Sequence, residues 1–438
     1  MAEIRPFKGI LYNKEKIDIS KVVTQPYDKI KGSMQDEYYK RDPNNFVRLI
    51  LDRILPSDNE SDNRYIRAAN KFGELLKDNI LVREDKPLIY VYDQEYTLHD
   101  GSRKTRRGLI ALMRIEELSK GTVYPHEKTL SKPKTDRFEL IKAVRANLEQ
   151  IFMLYNDSGK VVSGLIEGSK PEKVFEFKDE YGVSHCFSKI TDAGLIDKIC
   201  EAMADKKLFI ADGHHRYEVG LNYRDHLRKQ ENIDNEHGAN FRMAMFVDMG
   251  SEGLTVFPTH RMLKNIKGFS PEGFIDTAKA FFTVKEMGAG MSGNDALHAM
   301  FAEIGDLWSK GGHAFGAYCA GRYYALELKA DIDIADAVSK DTPDIAKKLD
   351  VSILHNLILE KLLNISSKNV ENEDNITYIR DASEGVEGVD NGSYQITFFL
   401  NPTKVGEVRE VALSGGVMPQ KSTDFYPKIS SGLVIYKF

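Results

Sequence analysis

Leu208-Phe209-Ile210-Ala211-Asp212-Gly213-His214-His215-Arg216 is the stretch on which the reading of this chain turns. Its first four residues are apolar and read as a short buried strand; a helix follows from near Arg216, with Tyr217, Leu221 and Leu227 on its inner side. Gly213 can take the positive φ of a tight turn and leaves room for a ligand to approach the backbone. The first amides of the following helix have no internal partners and point outward at the positive end of its dipole. Strand, glycine turn and helix thus make a seat for an anion. His214 and His215 add donors, and the planar fork of Arg216 matches two phosphate oxygens. Asp212 has the wrong sign for phosphate and the right chemistry for Mg²⁺, so it is the expected metal ligand of a phosphate–metal clamp. Zinc fits less well, because adjacent helical positions diverge by about 100° whereas helical metal pairs stand at i and i+4.

Working outward, a hairpin is expected over 173–188, followed by a helix capped by Thr191. Further upstream a loop over 124–135 is crowded with Pro, His, Glu and Lys; a helix over 136–146 and a strand over 150–155 follow it. Glu127 in that loop has the chemistry of a general base, and Lys128 could neutralise phosphate charge, although such a charge run is as readily a solvated surface. Near the start, strand, helix and strand are expected over 7–12, 33–41 and 46–51, with Ser33 and Asp36 as a capping box. An amphipathic helix is expected over 61–79 and an antiparallel hairpin over 87–98 and 105–115. Arg103-Lys104-Thr105-Arg106-Arg107 reads as a solvated, aggregation-blocking edge, and Gln25-Pro26-Tyr27-Asp28 as a structural turn.

Downstream, residues 230–240 have the composition of a linker, which divides the chain into an N-terminal domain, 1–230, and a C-terminal α+β domain, 241–438. The second carries expected strands at 242–247 and 255–258, helices at 271–282, 295–304 and 349–363, and a hairpin at 315–319 with 323–328. Near its end Lys421, Ser422 and Thr423 are able to bind an anion without a matching helix signature.

Composition narrows the classes. A chain of 438 residues exceeds one ordinary core of roughly 100–200 residues. Sixty-one Lys and Arg against sixty-six Asp and Glu leave a net charge of −5, which argues against nucleic acid as a partner. No apolar run reaches the length of a signal peptide core or a membrane span, so the expected location is cytoplasmic. Cys186, Cys200 and Cys319 are too few and too scattered for a disulfide framework or a zinc site.

Ile210-Ala211-Asp212-Gly213-His214-His215-Arg216-Tyr217-Glu218, Pro125-His126-Glu127-Lys128-Thr129 upstream, and Lys421-Ser422-Thr423 before Phe425-Tyr426-Pro427-Lys428 together resemble a prokaryotic family long labelled domain of unknown function ten-fifteen. The Asp-Gly-His-His-Arg turn is also similar to that of the free-serine kinases of the ParB and sulfiredoxin-like superfamily. The resemblance implies an α+β fold with a ParB/sulfiredoxin-like core over about 105–230. It implies a phosphotransferase that uses ATP or ADP with Mg²⁺ and acts on a small hydroxyl acceptor such as L-serine. Glu127 is then the catalytic base, with His126 beside it. Asp212, Gly213, His214, His215, Arg216 and Lys128 bind the nucleotide phosphates, and Asp212 the metal. Two departures stand out: an extra hairpin and helix between the strand at 150 and the turn, and a further domain after it. A nucleotide-binding or nucleotide-hydrolysing regulatory protein of the same superfamily and a phosphohydrolase use the same clamp and stay open as alternatives.

Overall fold

A computed structural model describes the chain apart from Met1, His99, Lys128, Leu130, residues 335–342, Asn372 and Glu373, and the side chains of Ser131, Lys132, Ser367 and Glu371. The chain is mixed α+β and divides into two compact units. The first comprises Met1–Pro125, Thr129–Thr255 and Phe425–Phe438; the second comprises His126–Lys128 and Val256–Asp424. The linker-like residues 230–240 lie in the first unit, between the helix His214–Gln230 and the strand Phe241–Asp248.

The first unit is built on a nine-stranded sheet in which parallel and antiparallel pairs mix. Its order runs Val123–Tyr124, Leu208–Asp212, Ile151–Tyr155, Phe241–Asp248, Arg103–Arg114, Ile89–Thr97, Ser184–Ile190, Glu172–Lys178, with Ile4–Arg5 beside Arg103–Arg114. Leu208–Asp212 lies parallel to Val123–Tyr124 and antiparallel to Ile151–Tyr155. The strand is apolar along most of its length because it is interior on both sides: Leu208, Phe209, Ile210 and Ala211 are all buried. Helices Val161–Gly168, Ala193–Met203 and His214–Gln230 set Val162, Ile196, Ile199, Tyr217 and Leu221 into one core with Met153, Leu208 and Ile210.

The hairpin Ile89–Thr97 with Arg103–Arg114 forms as its alternation predicts, Tyr92 opposite Gly108. Several expectations are corrected. Residues 46–51 are not a strand: Val47–Ile50 is a helical turn that begins from Phe46, and just before it the Asn45 carboxamide accepts from the Val47 amide at 3.0 Å. The helix Gly32–Arg41 begins from Lys31 with no side-chain cap, so Ser33 and Asp36 form no capping box. The cap of Ala193–Met203 is Asp192, whose carboxylate accepts from the Leu195 amide at 3.1 Å, one residue after the expected Thr191. Arg106 is fully buried, unlike the solvated edge expected of it, because alternation turns it to the inner face, where it bonds Gln94 and the Pro427 carbonyl.

The second unit is an antiparallel six-stranded sheet, Phe282–Met287, Arg322–Leu328, Ala314–Cys319, Ile396–Phe399, His260–Leu263, Ile376–Ile379. Phe274, Phe282, Phe315, Leu354, Leu357, Ile358 and Phe398 fill its core. The helix expected over 349–363 forms as Asp350–Ile353 and continues in wider π turns over Leu354–Leu362. No helix among the described residues is long and apolar enough to cross a membrane.

Candidate functional site

The strand Leu208–Asp212 ends in Asp212, and Gly213 then turns the chain with φ +96°, ψ 28° into the seventeen-residue helix His214–Gln230. A left-handed residue here lets strand and helix meet without a loop, and the Gly213 carbonyl receives the Tyr217 amide at 3.0 Å. A second reason for glycine is steric. A Cβ at this position would stand 2.9 Å from Arg216 Nε, because the guanidinium folds back over the turn.

That fold-back changes what Arg216 does. Its guanidinium donates to Asp212 Oδ1 at 3.2 Å and to the Gln150 carbonyl, so much of the fork is engaged within the protein. Asp212 receives a second cation, Lys428, whose Nζ donates to Oδ2 at 2.9 Å. Burial alone would raise the Asp212 carboxyl; Lys428, then Arg216, with a smaller share from Lys29, outweigh it and hold the group far below the ordinary carboxylate range. Arg216 is held charged above its usual value: burial opposes this, and Glu149, Asp212 and Asp28 prevail. His214 is buried on the first turn, and His215 is half-buried beside it.

A metal at Asp212 does not fit this arrangement. Both carboxylate oxygens already accept from cationic donors, so Mg²⁺ would have to enter beside the positive charges of Lys428 and Arg216. Among the described residues no group of three or more His, Cys, Asp or Glu side chains is placed to hold a metal ion.

The upstream loop divides between the units. In the first, Thr129 Oγ1 lies 2.8 Å from both oxygens of Glu218, and Lys134 Nζ donates to Glu218 Oε2 at 2.9 Å. This ties the loop to the helix that Gly213 opens. In the second unit, Glu127 pairs with Met418 in a parallel bridge, and its Oε1 accepts from the Lys421 amide at 3.4 Å. His126 is fully buried, its Nε2 3.1 Å from Thr423 Oγ1 and its carbonyl accepting from the Met418 amide at 2.7 Å. Lys421 sits at φ +58°, and its carbonyl accepts from Arg261 at 3.2 Å. Ser422 is buried, with its hydroxyl on the Pro419 carbonyl. Thus Glu127 and His126 are held by the segment 418–423, while Asp212, Gly213, His214, His215 and Arg216 share the other unit with Lys428. Lys128 lies outside the described residues.

Lys428 and Glu218 belong to the motifs that carry the family resemblance, but the sequence assigns neither a role. Glu218 stands two residues beyond Arg216 and was open to notice; Lys428 gives no local signal, since its partner is 216 positions away.

A family model described as "Protein of unknown function (DUF1015)" matches residues 4–352. No curated protein matches the sequence. Among solved structures, a conserved hypothetical protein from Pyrococcus furiosus is similar at 13% identity and TM-score 0.35, covering 74% of this chain and 92% of that one. A free serine kinase in complex with AMP is similar at 14% identity and TM-score 0.35, with the same coverage, 74% and 92%. A mutant free serine kinase in complex with ADP gives the same four figures, 14%, 0.35, 74% and 92%.

Proposed function

This chain belongs to the DUF1015 family, and we propose that it is a nucleotide-dependent small-molecule kinase with ATP or ADP as donor and a small hydroxyl acceptor, L-serine being the first to test. The observation that carries the reading is the turn itself: a left-handed glycine at a strand end opens a long helix, with Arg216 and Lys428 gathered at its start. The positive end of a helix dipole favours an anion, and the two cations offset the one carboxylate there.

In this reading the turn residues Asp212, Gly213, His214, His215 and Arg216, with Lys128, receive the nucleotide phosphates. Glu127, with His126 beside it, takes the proton of the acceptor hydroxyl as the new O–P bond forms. The bond from that phosphorus to the bridging oxygen breaks, and the nucleotide leaves one phosphoryl group shorter. Charge on the transferring group is met by His214, His215 and Arg216. No step is routed through a metal at Asp212. A ParB/sulfiredoxin-like core over about 105–230 is part of the same proposal.

The test is to incubate purified protein with ATP or ADP and L-serine and to follow O-phosphoserine by ³¹P NMR. Nucleotide alone serves as the second arm. Phosphoserine formation supports the proposal. Inorganic phosphate released without acceptor makes the protein a phosphohydrolase, and nucleotide binding without turnover makes it a regulatory binder.

A further inference from the structure

In the first unit a cavity with about 460 Å³ of atom-free space, part of it open to solvent, lies against the helix His214–Gln230. Arg137, Asn147, Glu149, Arg216, Val219 and Arg242 are among the residues that line it. Arg242 belongs to the central strand Phe241–Asp248, opposite Met113, and is 3% exposed. It shares the inward face with Ala244 and Phe246, where an apolar residue is the rule.

Among the described residues, none of Arg242 Nε, Nη1 and Nη2 has a hydrogen-bond partner. Two other lining groups are in the same state, Asn147 Nδ2 and Arg216 Nε. The orientation of Asn147 is fixed by its Oδ1, which accepts from the Met243 amide at 3.2 Å. All of these unsatisfied atoms, on residues that line the cavity, are therefore donors. The other charges on the wall are already matched. Glu149 accepts from the Tyr27 amide at 3.2 Å and Ser431 Oγ at 3.0 Å and lies 3.8 Å from Arg137, which also binds Asp136. Arg216 is paired with Asp212. Arg242 is left without a carboxylate: burial pushes it down to about 10, with only Tyr223 and Tyr436 acting the other way.

The Arg242 guanidinium stands over the Phe438 ring at 5.7 Å, but a buried charge with no hydrogen-bond partner is costly, and the group that would relieve this set of donors has acceptors only. We propose that the cavity binds a compact oxyanion, a carboxylate or inorganic phosphate, at Arg242 and Asn147, as a site distinct from the nucleotide seat at the turn, to which Arg216 belongs. Gly220 belongs to this design, since a Cβ there would run into Arg242 Nε. The site does not depend on kinase activity, and it stands if no phosphoryl group is transferred.

Isothermal titration of the full chain with acetate, L-serine and inorganic phosphate, each without nucleotide, tests it. Saturable binding of at least one probe is expected, weakened about tenfold or more in both Arg242→Met and Gly220→Ala, with the Kd for ADP unchanged in Arg242→Met. Acetate or serine binding identifies a carboxylate site, and phosphate alone a phosphate site. Thermal melts give a readout independent of these variants: the bound probe should raise the Tm of the unmodified chain. Without added anion, Arg242→Met should melt higher than the unmodified chain, because an unpaired buried charge has been removed. Absence of saturable heat with every probe, together with an unmoved Tm, overturns the site and leaves water as the partner of Arg242. Equal loss of ADP and probe binding in Arg242→Met overturns its separateness and makes the cavity part of the nucleotide seat.

Discussion

Lys428 Nζ donates to Asp212 Oδ2 at 2.9 Å, a bond across 216 residues that sets the end of the chain on the turn at the end of strand Leu208–Asp212. The backbone around Lys428 is fixed on both sides: Gln94 donates to its carbonyl at 2.8 Å, and Arg106 donates to the Pro427 carbonyl. The lysine side chain is only 12% exposed, so solvent screens the pair weakly. Lys428→Met should therefore lower unfolding free energy by about 3 kcal/mol, read from urea melts, by removing the larger of the two cationic partners of Asp212. A loss no larger than that of an exposed pair, below about 1 kcal/mol, would show that the bond does not anchor the segment.

The same pair sets a pH dependence. Asp212 is depressed in the folded chain, so its stabilisation is fully present above the unfolded carboxyl value of about 3.9 and is lost as pH falls towards the folded value, which lies far lower. Comparing the unmodified chain with Asp212→Asn, the stability difference should be flat from about pH 5 to pH 8 and should shrink below about pH 4. Denaturant melts across that range read it directly. A difference that changes between pH 6 and pH 8 would assign the effect to another group.

Much of this arrangement was open to reading and some of it was not, for physical reasons. Four apolar residues before Asp-Gly announced the strand Leu208–Asp212, and Gly213 announced the turn, because both signals are local. Val47–Ile50 departs from the expected strand because a short apolar run carries no period to separate strand from helix. Arg106 was misread because a charged residue gives no sign of its inward face unless the strand's register is known. The anchoring of Glu127 by Met418 and Lys421, and of Asp212 by Lys428, depends on segments remote in sequence, where no local pattern reaches.

Gly213→Ala tests the turn without altering any charge. At φ +96° an L-residue is strained, and its Cβ would press on the Arg216 guanidinium at 2.9 Å. The variant should lose about 1–3 kcal/mol of stability and bind ADP at least about tenfold more weakly, measured by calorimetry. Full ADP affinity in a folded Gly213→Ala would place the nucleotide elsewhere.

Glu127→Gln and Arg216→Ala separate chemistry from binding. Glu127 is held by its backbone bridge to Met418 and by the Lys421 amide, and glutamine keeps the shape and an acceptor for that amide while removing the base. Its Kd for ADP should stay within about twofold, while phosphoryl transfer falls by about a hundredfold or more, the usual worth of a positioned base. Arg216→Ala removes the donors to Asp212 and to the Gln150 carbonyl, so the turn loses both its charge balance and its brace. Nucleotide binding and turnover should then fall together. The two variants differ in which quantity moves first, and titration calorimetry beside an initial-rate assay reads both. If Glu127→Gln turns over at the rate of the unmodified chain, the base is another residue; if Arg216→Ala binds ADP as tightly, the turn is not the phosphate seat.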